Sequence, residues 1–139
     1  MTTNKATRRP SIHMIDVEAD ALADLAINAQ GRMPEVSKQL LNEIGRAHIH
    51  TADKIAPDIV TMHSTVEFID EANGADRTIE LVYPREADIS AGRISILTPV
   101  GAGLIGLRTG QSILWPDRDG RERKLTIIKV VQQKPVSAN

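Results

Sequence analysis

The chain has 139 residues, of which 17 are Lys or Arg and 18 are Asp or Glu, so its formal net charge is -1. Hydrophobic residues make up 41% and charged residues 25%, which is the composition of a folded protein rather than a disordered one. A charge this close to zero argues against a protein held on DNA or RNA mainly by neutralising phosphates.

The lack of cysteine and the low aromatic content exclude further kinds of functional site. The chain has no Cys, which excludes disulfides, iron–sulfur clusters and thiolate zinc sites. Phe68, Tyr83 and Trp115 are its only aromatic residues, too few for an aromatic-lined pocket or a platform that stacks nucleobases. No window approaches the roughly 20 apolar residues that span a bilayer, and the first residues lack the apolar core of a secretory signal. We expect a cytoplasmic protein without membrane contacts.

The first third of the chain predicts two helices behind a polar tail at residues 1–11. Asp16 is the expected N-cap of the first helix, at residues 16–30, and Pro34 is expected to start the second. Both segments carry apolar residues at helical spacing: Leu22, Leu25, Ala26 and Ala29, then Val36, Leu40, Ile44 and Ala47. The short connection predicts an antiparallel helical hairpin, a short coiled coil that reaches about 20 Å. Residues 48–58 read as a connector, so residues 12–55 comprise the hairpin and most of that connector.

After Pro57, apolar residues recur at every second position instead of at helical spacing. This change predicts a second, strand-rich domain at residues 56–134. Residues 64–69 alternate, with Val66 and Phe68 on one face, and residues 78–83 alternate again after a turn at Asn73-Gly74. This predicts a β-hairpin. Further strands are predicted at 94–97, 112–115 and 123–131, with a turn at 116–120. Residues 99–107 predict a short buried helix that ends near Gly106. The fold class is therefore α+β, with an antiparallel sheet around a short helix.

Three motifs with chemical potential have simpler structural interpretations. His48 and His50 lack a neighbouring ligand pattern for a metal, and they are predicted to face solvent at the end of the second helix. The Gly-x-Gly-x-x-Gly match at residues 101–106 lacks the long helix and βαβ unit of a dinucleotide site, so its small residues are predicted to serve packing. No Ser lies in a nucleophile motif. We expect no catalytic residue, no metal or other cofactor and no small-molecule substrate.

The tip of the helical hairpin carries Arg32, Met33 and Glu35. Glu35 is the one carboxylate there, whereas Asp20 and Asp24 lie at least a turn down the first helix. Phosphodiester cleavage by a bound metal needs two carboxylates that hold one cation. The pattern favours a solvated turn, and an enzyme that uses Glu35 with Asp24 or Asp20 remains as the alternative.

Residues 94–113, ISILTPVGAGLIGLRTGQSI, resemble the core motif in the C-terminal domain of the Gre transcript-cleavage factors, the GreA/GreB family. Residues 57–68, residues 81–84 and the segment Glu43–Ala47 are more similar to the Rnk branch of that family, regulators of nucleoside diphosphate kinase. The similarity covers about residues 40–131. It departs from the family pattern at Gln111, where Asp is common, and at Ala102-Gly103.

The resemblance implies an FKBP-like C-terminal domain that binds RNA polymerase beside its secondary channel, with the hairpin pointing toward the channel. It implies that Thr98, Pro99, Val100 and Gly101 contact the polymerase, and the alternative is that they only cap the buried helix. Nucleic acid would be reached only through the polymerase. A short hairpin with one tip carboxylate then predicts a transcription regulator of the Rnk type without cleavage activity. A direct effect on a nucleoside diphosphate kinase is implied by the family name alone.

Overall fold

The computed structural model describes residues 11–116 and 122–133. Three α-helices lie in this part of the chain: α1 (Asp16–Asn28), α2 (Pro34–Arg46) and α3 (Pro99–Leu104). The strands are β1 (His13–Ile15), β2 (His48–His50), β3 (Thr65–Asp70), β4 (Ala75–Val82), β5 (Arg93–Ser95), β6 (Ser112–Pro116) and β7 (Glu122–Val131). Single 3₁₀ turns at Pro84–Glu86 and Ile89–Ala91 separate β4 from β5. Helices and strands therefore combine in the predicted α+β class.

Helices α1 and α2 pack against each other and form the helical hairpin. Pro34 is the first residue of α2, as its missing N–H favours. Asp16, the expected N-cap, is instead the first helical residue, and the extended Ile15 takes the cap position. This prediction was wrong because β1 runs directly into α1. No helix in the described residues is long and apolar enough to cross a membrane.

The predicted connector at residues 48–58 contains a strand that the sequence does not reveal. Strand β2 pairs in parallel with β1, with His13 opposite His48 and Ile15 opposite His50. Each strand has three residues, which is too short for an alternating pattern to show. The pair joins the two ends of the helical hairpin, since β1 precedes α1 and β2 follows α2.

The main sheet has five strands in the order β5-β4-β3-β7-β6. Strands β3 and β4 form the predicted hairpin, and β7 pairs antiparallel with both β3 and β6. The sheet is not wholly antiparallel, because β5 runs parallel to β4. The segment with the two 3₁₀ turns returns the chain to the level of Glu80, so that β5 runs in the same direction as β4. Residues 1–10 of the expected polar tail and residues 117–120 of the expected turn lie outside the described residues.

One apolar core joins the helical hairpin, α3 and the sheet. Leu22 and Leu40 of the hairpin, Leu104 of α3, and Leu81 and Ile127 of the sheet belong to the same cluster of buried side chains. Helix α1 carries an Ala-rich stripe, which allows close approach but buries little area per residue. The stability of the hairpin therefore depends on packing against the body rather than on helix propensity alone.

Candidate functional site

The loop at residues 98–101 forms the start of α3 and is held by its own hydrogen bonds. Thr98 Oγ1 accepts a hydrogen bond from Gly101 N at 3.1 Å and donates one to Ser95 O at 2.7 Å. Ser95 Oγ accepts from Leu97 N at 2.9 Å. Thr98 is thus a side-chain N-cap, and Pro99 occupies the first helical position, where its missing N–H has no cost.

The four predicted contact residues of this loop differ in their access to a partner. Pro99 is exposed, Thr98 and Val100 are half-buried, and Gly101 is buried. A Cβ atom at Gly101 would collide with the carbonyl oxygen of Ser95 and lie 3.0 Å from Ile96 Cα. Thr98 and Gly101 therefore fix the loop, and Pro99 is the residue that it presents to solvent.

Helix α2 also contacts this loop, which the sequence did not indicate. Gln39 Nε2 donates a hydrogen bond to Pro99 O at 3.3 Å, and α2 packs on α3. Gln39 lies five residues after Pro34, so at most about 8 Å of α2 extends beyond this contact at 1.5 Å per residue. Each helix of the hairpin has 13 residues and is therefore about 20 Å long, but half of α2 lies against the body, so less than this length projects from it. No local pattern could have shown this contact between residues 60 positions apart.

The tip of the helical hairpin is a polar turn. Arg32, Met33 and Glu35 are all exposed, and Met33 N donates to Ala29 O at 2.8 Å. Asp20 and Asp24 are exposed on α1. Among the described residues, no group of three or more His, Asp or Glu side chains is arranged to hold a metal ion.

Three histidines meet where the helical hairpin joins the body. His13 Nδ1 and His50 Nε2 lie 2.9 Å apart, and the His13 ring lies 5.1 Å from the His48 ring and 5.0 Å from the His50 ring, centroid to centroid. The prediction of two solvent-facing histidines at a helix end was wrong in part: His48 is exposed, whereas His50 is half-buried, and both lie on β2. His13 is far from both in the chain, so nothing in the local sequence predicts this cluster.

A second polar cluster holds the start of α1 on the body. Glu18 Oε1 accepts a hydrogen bond from Met62 N at 3.0 Å, and burial raises the pKa of this carboxyl group. Next to it, His63 Nε2 lies 2.9 Å from Glu86 Oε1, and this hydrogen bond lowers the pKa of Glu86. His63 has a positive φ of 67°, which is uncommon for a residue with a side chain. No local pattern in the sequence brings these residues together.

Comparison with known proteins places these features in a family. The family model "Transcription elongation factor, GreA/GreB, C-term" matches residues 55–132, which include β3 to β7 and the 98–101 loop. A protein named regulator of nucleoside diphosphate kinase, from Escherichia coli (strain K12), is 33% identical over 127 residues, or 90% of this chain and 92% of that protein.

Two further relatives carry the name of the elongation factor. GreA from Azorhizobium caulinodans is 36% identical over 117 residues, or 76% of this chain and 72% of that protein. A solved structure described as prokaryotic transcription elongation factor GreA/GreB from Nitrosomonas europaea has 35% identity and a TM-score of 0.72, and the match covers 89% of this chain and all of that one. The matches extend beyond the C-terminal module to the helical hairpin. The chain therefore belongs to the GreA/GreB family of transcription factors.

Proposed function

We propose that this protein is a transcription regulator of the Rnk type, which docks on RNA polymerase at the rim of the secondary channel without cleaving transcripts. The docking part is the C-terminal domain, residues 56–134, for which we adopt the FKBP-like arrangement that the family resemblance implies. The observation that carries the proposal is the contact of Gln39 with Pro99 O, because it leaves little of the helical hairpin free to reach into a channel.

The 98–101 loop supports docking because Pro99 is exposed while Thr98 and Gly101 on either side of it are held in place. Pro99 has a fixed φ, Thr98 caps the helix behind it, and Gly101 is packed against β5. A surface that is already ordered loses little conformational entropy on binding. We therefore assign Pro99 as the central contact, with Val100 beside it, and Thr98 and Gly101 as the residues that position it.

The helical hairpin supports the absence of cleavage activity. A metal ion that activates water for phosphodiester cleavage would need at least two carboxylates near the tip. Glu35 is the tip carboxylate, and Arg32 near it adds a positive charge that opposes cation binding. At most about 8 Å of α2 projects past the body, so the tip would stay near the rim.

A transcript-cleavage factor is the second candidate, because GreA proteins match this chain at similar identity. Glu35 with Asp24 or Asp20 would then supply the carboxylates. A stalled elongation complex incubated with the protein decides between the candidates. We expect full-length transcripts only; shortened transcripts that disappear with Glu35→Ala would establish the cleavage factor instead.

The docking proposal is tested by binding purified RNA polymerase to the wild-type protein and to Pro99→Asp. We expect at least a tenfold weaker affinity for Pro99→Asp, because a charge would replace the exposed apolar contact. Pro84→Asp is the matched control, since Pro84 is also exposed and also begins a helical turn. Equal binding by wild type and Pro99→Asp would remove the loop from the interface, and failure of the wild type to compete with a cleavage factor would refute docking at the channel.

A further inference from the structure

The three-histidine cluster lies where both ends of the helical hairpin meet the body. Strand β1 passes into α1 without an intervening residue, and Ala47 alone separates α2 from β2. His13 N donates a hydrogen bond to Gly106 O at 3.0 Å, and His48 N donates to Ile12 O at 2.9 Å. The β1–β2 pair therefore closes the base of the hairpin and attaches it to the segment that follows α3.

The surroundings of His13 contain more positive than negative charge. His48 and His50 face it from β2, Arg108 faces it from the segment after α3, and Asp58 is the one acidic group among these neighbours. Arg108 Nε lies 3.4 Å from Asp58 Oδ1, so the carboxylate is shared with the guanidinium. A proton added to the cluster meets repulsion that Asp58 offsets only in part.

We propose that His13, His48 and His50 form a proton-sensitive clasp, which holds the base of the helical hairpin closed when the imidazoles are neutral and loosens it when they are protonated. The bond between His13 Nδ1 and His50 Nε2 needs one nitrogen that carries a hydrogen and one that does not. A single extra proton on the pair preserves that bond. With two extra protons, both nitrogens carry hydrogens that face each other across 2.9 Å, and the bond is lost.

The direction of the pH effect follows from the preference of the folded protein for a neutral imidazole at His13. Partial burial, and then the charges of His50, Arg108 and His48, lower the pKa of His13 below its usual 6.5. A group whose pKa is lower in the folded state stabilises the fold fully above the unfolded-state value, and this stabilisation is lost as the pH falls through the folded-state value. Because one added proton preserves the His13–His50 bond, the clasp stays closed above about pH 6.5 and opens as the pH falls further, through the lowered pKa of His13.

Amide hydrogen exchange of the wild-type chain, corrected for the intrinsic pH dependence of exchange, tests the clasp. We expect the protection factors of the His13 and His48 amides to fall at least tenfold between pH 7.5 and pH 5. The Leu81 amide, which donates to Ser64 O in the main sheet, is the internal reference and is expected to change less than twofold. Equal protection of the His13 and His48 amides at the two pH values would overturn the proposal.

A variant pair separates the cluster from general acid effects. In His48→Gln/His50→Gln two titrating groups are gone, while the amide side chain that replaces His50 still offers an oxygen to His13. The pH-dependent loss of protection should therefore shrink to less than threefold. His63→Gln removes the remaining histidine, which lies outside the cluster, and should keep the full tenfold loss of amide protection. An undiminished loss in the double variant would refute the clasp, and if that variant does not fold, the wild-type measurement decides alone.

Discussion

The helical hairpin and the strand-rich domain differ in how tightly their surfaces are constrained. Gly45 in α2 has open space around it, whereas Gly101 in α3 is pressed against the backbone of β5. The tip of the hairpin is exposed on all sides, whereas the 98–101 loop is held by a side-chain cap and by Gln39. This difference supports the proposal that the domain docks through a preorganised surface and that the hairpin does not cleave transcripts.

A substitution in the shared core is the strongest test of whether the helical hairpin and the strand-rich domain unfold as one cooperative unit. Leu40 of α2 is fully buried in the cluster that includes the sheet. Leu40→Ala is expected to lower the free energy of unfolding by about 3 kcal/mol. Urea titration followed by NMR amide signals should show both regions unfolding at the same lowered midpoint. Leu41→Ala, at a half-buried neighbour, should cost about 1 kcal/mol. An unchanged midpoint for the sheet in Leu40→Ala would show two independent units.

Replacing Gly101 or Gly45 by Ala is expected to have the next largest effect on the free energy of unfolding, with opposite signs in the strand-rich domain and in the helical hairpin. Gly101→Ala is expected to destabilise the protein by about 2 kcal/mol, because the added methyl group displaces α3 from β5. Gly45→Ala is expected to stabilise it by about 0.5–1 kcal/mol, because Ala has the higher helix propensity and nothing obstructs the methyl group. Thermal and urea unfolding measure both. A Gly101→Ala variant as stable as wild type would contradict the close packing of Gly101 against Ser95 and Ile96.

The cap of α3 sharpens the assignment of Thr98 as a positioning residue. Thr98→Ala removes the acceptor for Gly101 N and the donor to Ser95 O, and should cost about 1 kcal/mol of unfolding free energy. Thr98→Ser keeps both hydrogen bonds and should recover most of that loss. In urea titrations at constant slope, equal midpoints for the Ala and Ser variants would show that the hydroxyl has no capping role.

Glu18 links the helical hairpin to the body through its hydrogen bond with Met62 N. Its replacement by Gln is expected to have the smallest effect on stability. The pKa of its carboxyl group is raised by burial, so the folded state binds this proton more tightly than the unfolded state and stability rises as the pH falls toward 4.5. Glu18→Gln keeps an oxygen that can accept from Met62 N and removes the titration. The variant should be slightly more stable than wild type at pH 7 and lose that advantage at pH 4. Thermal melts at the two pH values measure this, and a variant that gains relative stability at pH 4 would contradict the direction.

Local patterns predicted most of the architecture. Helical spacing placed α1 and α2, alternation placed β3, β4 and β7, and Asn73-Gly74 marked the turn between β3 and β4. The strands predicted at 94–97 and 112–115 overlap β5 and β6. The Gly-rich segment was predicted to serve packing, which agrees with the close contact at Gly101. Predictions failed where the elements have only three residues, as in β1 and β2, or where a neighbouring element changed a boundary, as at Asp16.

The sequence by itself determined the helical hairpin, strands β3 to β7, the short buried helix and the family, because each rests on patterns within a short stretch of the chain. Tertiary structure alone decided the long-range contacts on which the proposals rest. Gln39 meets Pro99, Glu18 meets Met62, and His13 meets His50 across 60, 44 and 37 positions. Such pairs arise when elements pack on a common core, and the distance between packed elements is not encoded in the spacing of residues along either one.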